Sequence, residues 1–340
     1  ATTYTLTTAA QLHALANIVN GTAEGVDQND FTGKTVKLGA DIELNDATWF
    51  ELWGNSVTPQ RFPSIAQNES YPFNGTFDGQ GHAIRGLFIT CPNSDNNTYG
   101  LFGYLGADAD VHDVVLEKAC IVKDRAFDAG LLAMSSKGKV SRCGVEGKII
   151  SPIFADYTVN GGLIGVAETG SSISQCYALI DMDVRYDNCG GLVGRLKGAL
   201  DNSFARGSVR YGAASAFGGV VCNFEGEGFT NCYSALTADF ATLSESAQNV
   251  GGAYGSAPWN TTVNPGIYNH DLLATAFAPL GETFAPIAYA KGTGLTTDEM
   301  KRMATYEGWD FANVWGRRND RNDGYPYLRW TAPSLDNDAD

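Results

Sequence analysis

The sequence predicts an all-β chain wound as a parallel β-helix, a solenoid with repeats of about 30 residues, closed by a short helical N-terminal cap and an aromatic-rich C-terminal cap. Two patterns predict it. The first is a glycine anchor that recurs as YGLFGYL (99–105), AGLLAM (129–134), GGLIGV (161–166), GGLVGR (190–195), GGVVCN (218–223) and GGAYGS (251–256). Its second small residue falls at Gly100, Gly130, Gly162, Gly191, Gly219 and Gly252, in steps of 30, 32, 29, 28 and 33. The second is a strand about thirteen residues after each anchor: CGVEGKII (143–150), CYALIDMD (176–183), SFARGSVR (203–210) and CYSALTAD (232–239).

Strand side chains alternate in direction, so one phase divides each strand into an inner and an outer row. The inner columns are Cys143/Cys176/Ser203/Cys232, Val145/Ala178/Ala205/Ser234, Gly147/Ile180/Gly207/Leu236 and Ile149/Met182/Val209/Ala238, all small or apolar. The outer positions carry Glu146, Lys148, Asp181, Asp183, Arg206, Arg210 and Asp239. The same phase serves four strands with no helical pattern between them, which implies parallel coils stacked like over like. The anchor glycines are expected to supply positive φ at tight corners. Cys222 takes the place held by Gly103, Ala133, Gly165, Gly194 and Gly255, a column that wants a small residue.

The elements follow in order. Residues 1–33 form the N-terminal cap, with an amphipathic helix within 7–22: Thr7 or Thr8 is the N-cap, Leu12, Leu15, Ala16 and Val19 the apolar face, and Gly21 the stop. The solenoid runs over 34–290, its first coils less regular, with a strand in 34–44 and two strands around a Gly-rich turn in 73–89. Residues 291–331 form the C-terminal cap, with a helix over 296–310 capped by Thr297 and aromatics that seal the last coil. The acidic tail 332–340 is expected to be disordered.

Composition narrows the function. The 340 residues carry a formal charge of −15, which argues against nucleic-acid binding. No run of about 18 apolar residues exists, so no membrane insertion is expected within this chain. The chain opens ATTYTLTT, without Met or a basic leader, as a trimmed mature form would. Acidic, Gly/Asn/Thr-rich composition suits a secreted or surface protein, expected to be a monomer without cofactors. Glycosylation sequons at Asn20, Asn68, Asn74, Asn96 and Asn260 matter only in a eukaryotic secretory host. The cysteines number seven, in no metal-binding spacing, and read as small buried free thiols. GGLVGRLKG (190–198) matches neither nucleotide-loop spacing and belongs to the repeat.

FNGTFDGQGHAIRGLFI (73–89), GLFGYL and the repeated GGLIG…ISQCYA and GGLVG…LDNSFARGSV resemble the GLUG-motif proteins, and TTDEMKRMATYEGWDFANVW…NDGYPYLRW resembles the segment that closes such repeats. The resemblance covers about residues 34–330. It implies a β-helix in bacterial surface or secreted proteins, often adhesin-like, with the motif also found beside immunoglobulin-cleaving metallopeptidase domains. A right-handed winding follows from the resemblance and from the chirality of parallel crossovers. The resemblance supplies no catalytic residues, and this chain has no H-E-x-x-H; His13, His82, His112 and His270 are scattered.

The candidate site residues lie on the outer face. Tyr177, Phe204 and Tyr233 form an aromatic column on which sugar rings could stack, unless another segment covers it. Beside them lie Asp181, Asp183 and Arg210. Asp181 and Asp183 point the same way at roughly 7 Å by strand rise, a separation that fits a glycosidase carboxyl pair. Two Asp-rich loops, GADADVHD (106–113) and NDRNDG (319–324), lack the EF-hand pattern and read as solvated turns; no metal is expected. The expectation is a non-catalytic, adhesin-like β-helix that binds a glycan first or a host surface protein second. The alternatives are a polysaccharide hydrolase or lyase and a spacer stalk of a larger surface protein.

Overall fold

The computed structural model describes residues 2–91, 98–152, 158–184, 187–211, 216–226, 228–240, 249–257, 266–277, 285–288 and 290–338. Asn96 and Asn260 fall outside them. The chain is a parallel β-solenoid with four stacked parallel sheets of five, six, eight and ten strands. One coil shows the plan: Asn188–Gly190, Val193–Leu196, Ala199–Asp201 and Phe204–Tyr211 each join a different sheet. The eight-residue strands Gly144–Ser151, Tyr177–Val184, Phe204–Tyr211 and Tyr233–Phe240 stack in parallel in the ten-stranded sheet.

The expected columns are the observed ones. Val145 pairs with Ala178, Ala178 with Ala205 and Ala205 with Ser234, and all four are buried. All seven cysteines are buried free thiols. One repeat is offset by a residue from its sequence alignment. Ala133 pairs with Ile164 and Ser135 with Val166, so Met134, and not Ala133, stands opposite Gly165.

The glycines have a different role from the expected one. None of the repeat anchors has positive φ. A Cβ on Gly161, Gly190, Gly218 or Gly251 would instead overlap the carbonyl oxygen three residues on, and on the first three it would also come within 2.6 Å of a backbone nitrogen of the next coil. The left-handed corners belong to other residues. Asp113, Arg142, Gln175, Asn202 and Asn231, with φ between 46° and 56°, turn the chain into the long strands coil after coil. Asn and Asp visit this region at least cost because their side chains hydrogen-bond locally, as Asn202 Nδ2 does to Asp201 Oδ1 at 2.6 Å; Asn231 Nδ2 donates instead to Asn202 Oδ1 of the coil before, at 3.3 Å.

The N-terminal helix is Ala9–Asn20, with Thr8 as N-cap in a capping box with Gln11, Gly21 in the left-handed region, and Leu12, Leu15, Ala16 and Val19 buried. At the C-terminal end the structure departs from the expectations. The helix is one turn, Thr297–Met300, capped by Thr296 rather than Thr297. A helix that sequence reading missed, His270–Phe277, packs against the strand Tyr233–Phe240. The cap aromatics do not seal the last coil; they lie along the side of the solenoid. The tail also departs from disorder over 332–338. Arg317 N donates to Asn337 Oδ1 at 2.8 Å, Asn337 Nδ2 to Phe311 O at 3.0 Å, and Asn319 N to Asp338 Oδ2 at 2.8 Å.

Candidate functional site

The predicted aromatic column exists but is covered. Phe204 stacks on Tyr177 at 5.5 Å and on Tyr233 at 5.0 Å, the latter pair 3° from parallel. Their exposures are 8%, 4% and 0% for Tyr177, Phe204 and Tyr233. Trp330 stacks on Tyr177, Trp315 tilts against Phe204 and Tyr233, and Tyr325 stacks on Tyr233. Two indole N–H groups fasten this cover to the left-handed corners: Trp330 Nε1 donates to Gln175 O at 2.9 Å and Trp315 Nε1 to Asn202 Oδ1 at 3.3 Å. Arg206 clamps the same segment, donating to Asn322 Oδ1 and Asp323 Oδ2 at 2.6 Å each, with its guanidinium 4.6 Å above Tyr325. No sugar can reach the three rings, which are the floor of the C-terminal cap.

The other predicted residues divide. Asp183 and Arg210 form a surface ion pair at 3.5 Å, an arrangement of little energetic weight. Asp181 accepts from Ser208 Oγ at 2.7 Å and lies in a groove of ≈330 Å³ on the outer face of the long sheet. The cap residue Asp323 bounds one side. The turn Phe50–Leu52 bounds the other, held by Lys148 Nζ, which donates to Phe50 O at 2.8 Å and Glu51 O at 3.3 Å. Glu146, in the groove, is half-buried; burial, and then the nearby Glu117 carboxylate, push its pKa up.

A second cleft, of ≈530 Å³, lies between the end of the N-terminal helix and residues 67–71. Tyr71 and Phe127, 53% and 38% exposed, line it together with Tyr104. The amides of Asn20, Gln28, Gln67 and Asn68 line the same cleft. Asn20 is held in place by two bonds: its Nδ2 donates to Ser64 O at 2.9 Å and its Oδ1 accepts from Gln67 N at 3.0 Å. Sequence reading missed this cleft because its residues, Tyr104 apart, come from irregular early coils and connections, where no column marks them.

Among the described residues one group could hold a metal: atoms of Asp78, His112 and Asp113 lie within 4.8 Å of one another. Protein cations already serve it. Arg142 grips Asp113 with two bonds of 2.7 Å, and Lys37 lies 3.6 Å from Asp78. Arg142 holds the Asp113 carboxyl below its ordinary range, so the group reads as a corner salt bridge. His82, in its turn, lies 3.2 Å from Asp41. No described helix is long and apolar enough to cross a membrane.

No family model matches the chain. Part of it is 30% identical over 147 residues to halomucin of Haloquadratum walsbyi, a match covering 43% of this chain and 2% of that protein. Part is 32% identical over 164 residues to a protein of Evansella cellulosilytica provisionally named a Gly-rich membrane protein, covering 45% of this chain and 16% of that one. The chain therefore spans only a small share of the curated relatives it matches. Among solved structures it resembles one from Bacteroides ovatus provisionally named an immunoglobulin A1 protease, with TM-score 0.56 and 17% identity over 96% of this chain and 92% of that one. At that identity the likeness establishes a shared fold.

Proposed function

We propose that the chain is a non-catalytic ligand-presenting β-helix of a secreted or surface bacterial protein, and that its ligand is a glycan held in the Tyr71/Phe127 cleft. One observation carries the reading: two exposed aromatic side chains and four side-chain amides line one cleft of ≈530 Å³. Aromatic faces stack on sugar rings, and amides donate to and accept from hydroxyls at once. The GLUG-motif resemblance and a relative named as a membrane protein support a cell-surface setting. A glycan array tests this. Tyr71→Ala and Phe127→Ala are each expected to weaken binding by about tenfold, the loss of one good ring contact. Tyr177→Phe, under the cap, is expected to leave binding unchanged. Equal binding by all three variants would remove the cleft from the proposal.

The Glu146 groove favours a second reading, a glycan-cleaving enzyme. A carboxyl whose pKa is raised by burial and by the Glu117 carboxylate, in one groove with Asp181, is the kind of group that serves as a general acid. Mass spectrometry of array glycans after incubation separates the two. Intact glycans are expected; products that vanish in Glu146→Gln would make the enzyme the better description.

A further inference from the structure

Outside both surface sites the solenoid buries a complete set of reactive groups. Lys123, Ser151, Asn160 and Asp187 are each 0% exposed. They come from three successive coils and meet where the long strands give way to the five-stranded sheet. Asn160 stands in a column whose other members, Ala129, Cys189, Phe217 and Val250, are apolar. A carboxamide there breaks the pattern that the rest of the core obeys.

The contacts are specific. Lys123 Nζ donates to Asp187 Oδ2 at 2.6 Å and to Asn160 Oδ1 at 3.0 Å. The same Asp187 oxygen accepts from Asn160 Nδ2 at 3.1 Å. Ser151 Oγ at 2.7 Å and Thr158 Oγ1 at 3.1 Å fix the carboxylate. One carboxylate oxygen thus touches both an amine and the amide nitrogen that would have to leave if the amine attacked.

We propose that Lys123 and Asn160 form a spontaneous intramolecular isopeptide bond, with Asp187 as the proton carrier. Asp187 takes one proton from the Lys123 ammonium. The freed lone pair attacks Asn160 Cγ. Asp187 returns that proton to Nδ2, the Cγ–Nδ2 bond breaks and ammonia leaves. A second proton passes from Nζ to Asp187, leaving a neutral secondary amide. No oxidant or co-reactant is needed.

Burial favours each step. It lowers the pKa of Lys123, which favours the free amine. It excludes water that would compete for the carboxamide, and it holds the reactants in contact. It also supplies a driving force. Unlinked, the site keeps an ammonium and a carboxylate out of water at a large desolvation cost; linked, it holds no obligatory charge. The product would staple one coil to the next across 37 residues of chain.

The test is the mass of the purified 340-residue chain. The expected result is a deficit of about 17 Da, one ammonia, against the sequence mass, with a digest yielding one branched peptide that joins Lys123 to Asn160. Asp187→Asn and Lys123→Arg are expected to restore the full sequence mass. The wild-type measurement stands even if either variant fails to fold. A wild-type chain at its unmodified mass would overturn the proposal, and so would a link from Lys123 to Asp187 with loss of water. A bond that persists in Asp187→Asn would overturn the role given to Asp187.

Discussion

Tyr233→Ala is expected to destabilise the protein by about 3–5 kcal/mol, the range for removing a fully buried large aromatic. Tyr233 is 0% exposed and stands at the centre of the lateral cap. Its ring stacks on Phe204 and Tyr325 and tilts against Tyr306, Trp309 and Trp315. Its hydroxyl donates to Pro326 O at 2.6 Å and accepts from Asn322 Nδ2 at 2.8 Å. Truncation leaves a cavity under four cap aromatics and strips one donor from the Pro326 carbonyl. Denaturant unfolding measures the loss, and tryptophan emission locates it, because Trp309 and Trp315 would move toward water. Tyr233→Phe, which keeps the ring, is expected to cost only about 1 kcal/mol for the hydroxyl contacts. If Tyr233→Ala cost under about 1 kcal/mol, the cap would be an appendage rather than part of the folding unit.

The reach of sequence reasoning in this chain follows from the range of the interactions. The inner columns were legible because stacking repeats the same local requirement at each coil, so Val145, Ala178, Ala205 and Ser234 announce one another. The N-terminal helix was legible because its cap, apolar face and stop all lie within a few residues. The aromatic column was legible as a column, but its accessibility was not. What decides that is a segment distant in sequence, through contacts such as Trp315 to Asn202 and Trp330 to Gln175, 113 and 155 residues apart. Periodicity cannot report a partner that does not repeat. The same holds for the Tyr71/Phe127 cleft and for the buried Lys123 group, whose members break the columns. Asn160 was visible in principle as the one carboxamide in an apolar column, but only once the register was known.

Gly190→Ala is expected to cost about 3 kcal/mol or more, although Ala is among the smallest changes available and glycine here needs no unusual backbone. The added Cβ would overlap the carbonyl oxygen of Val193 within its own coil and lie 2.6 Å from the backbone nitrogen of Cys222 in the next. Neither neighbour can yield alone. Val193 O belongs to the first residue of the strand Val193–Leu196, and moving Cys222 N pulls on the parallel pairing of Val193 with Val221. Gly25 is the informative contrast. Its φ is +71° and a Cβ there meets nothing within 4 Å, so Gly25→Ala is expected to cost only about 1 kcal/mol, from left-handed strain. Thermal or denaturant unfolding of the two variants separates the two uses of glycine. A Gly190→Ala loss no larger than that of Gly25→Ala would mean that the coils relax apart readily, and that close backbone approach is not what selects glycine at Gly161, Gly190, Gly218 and Gly251. A loss several times larger would place the specificity of the repeat in the space between coils rather than in the torsion of its corners.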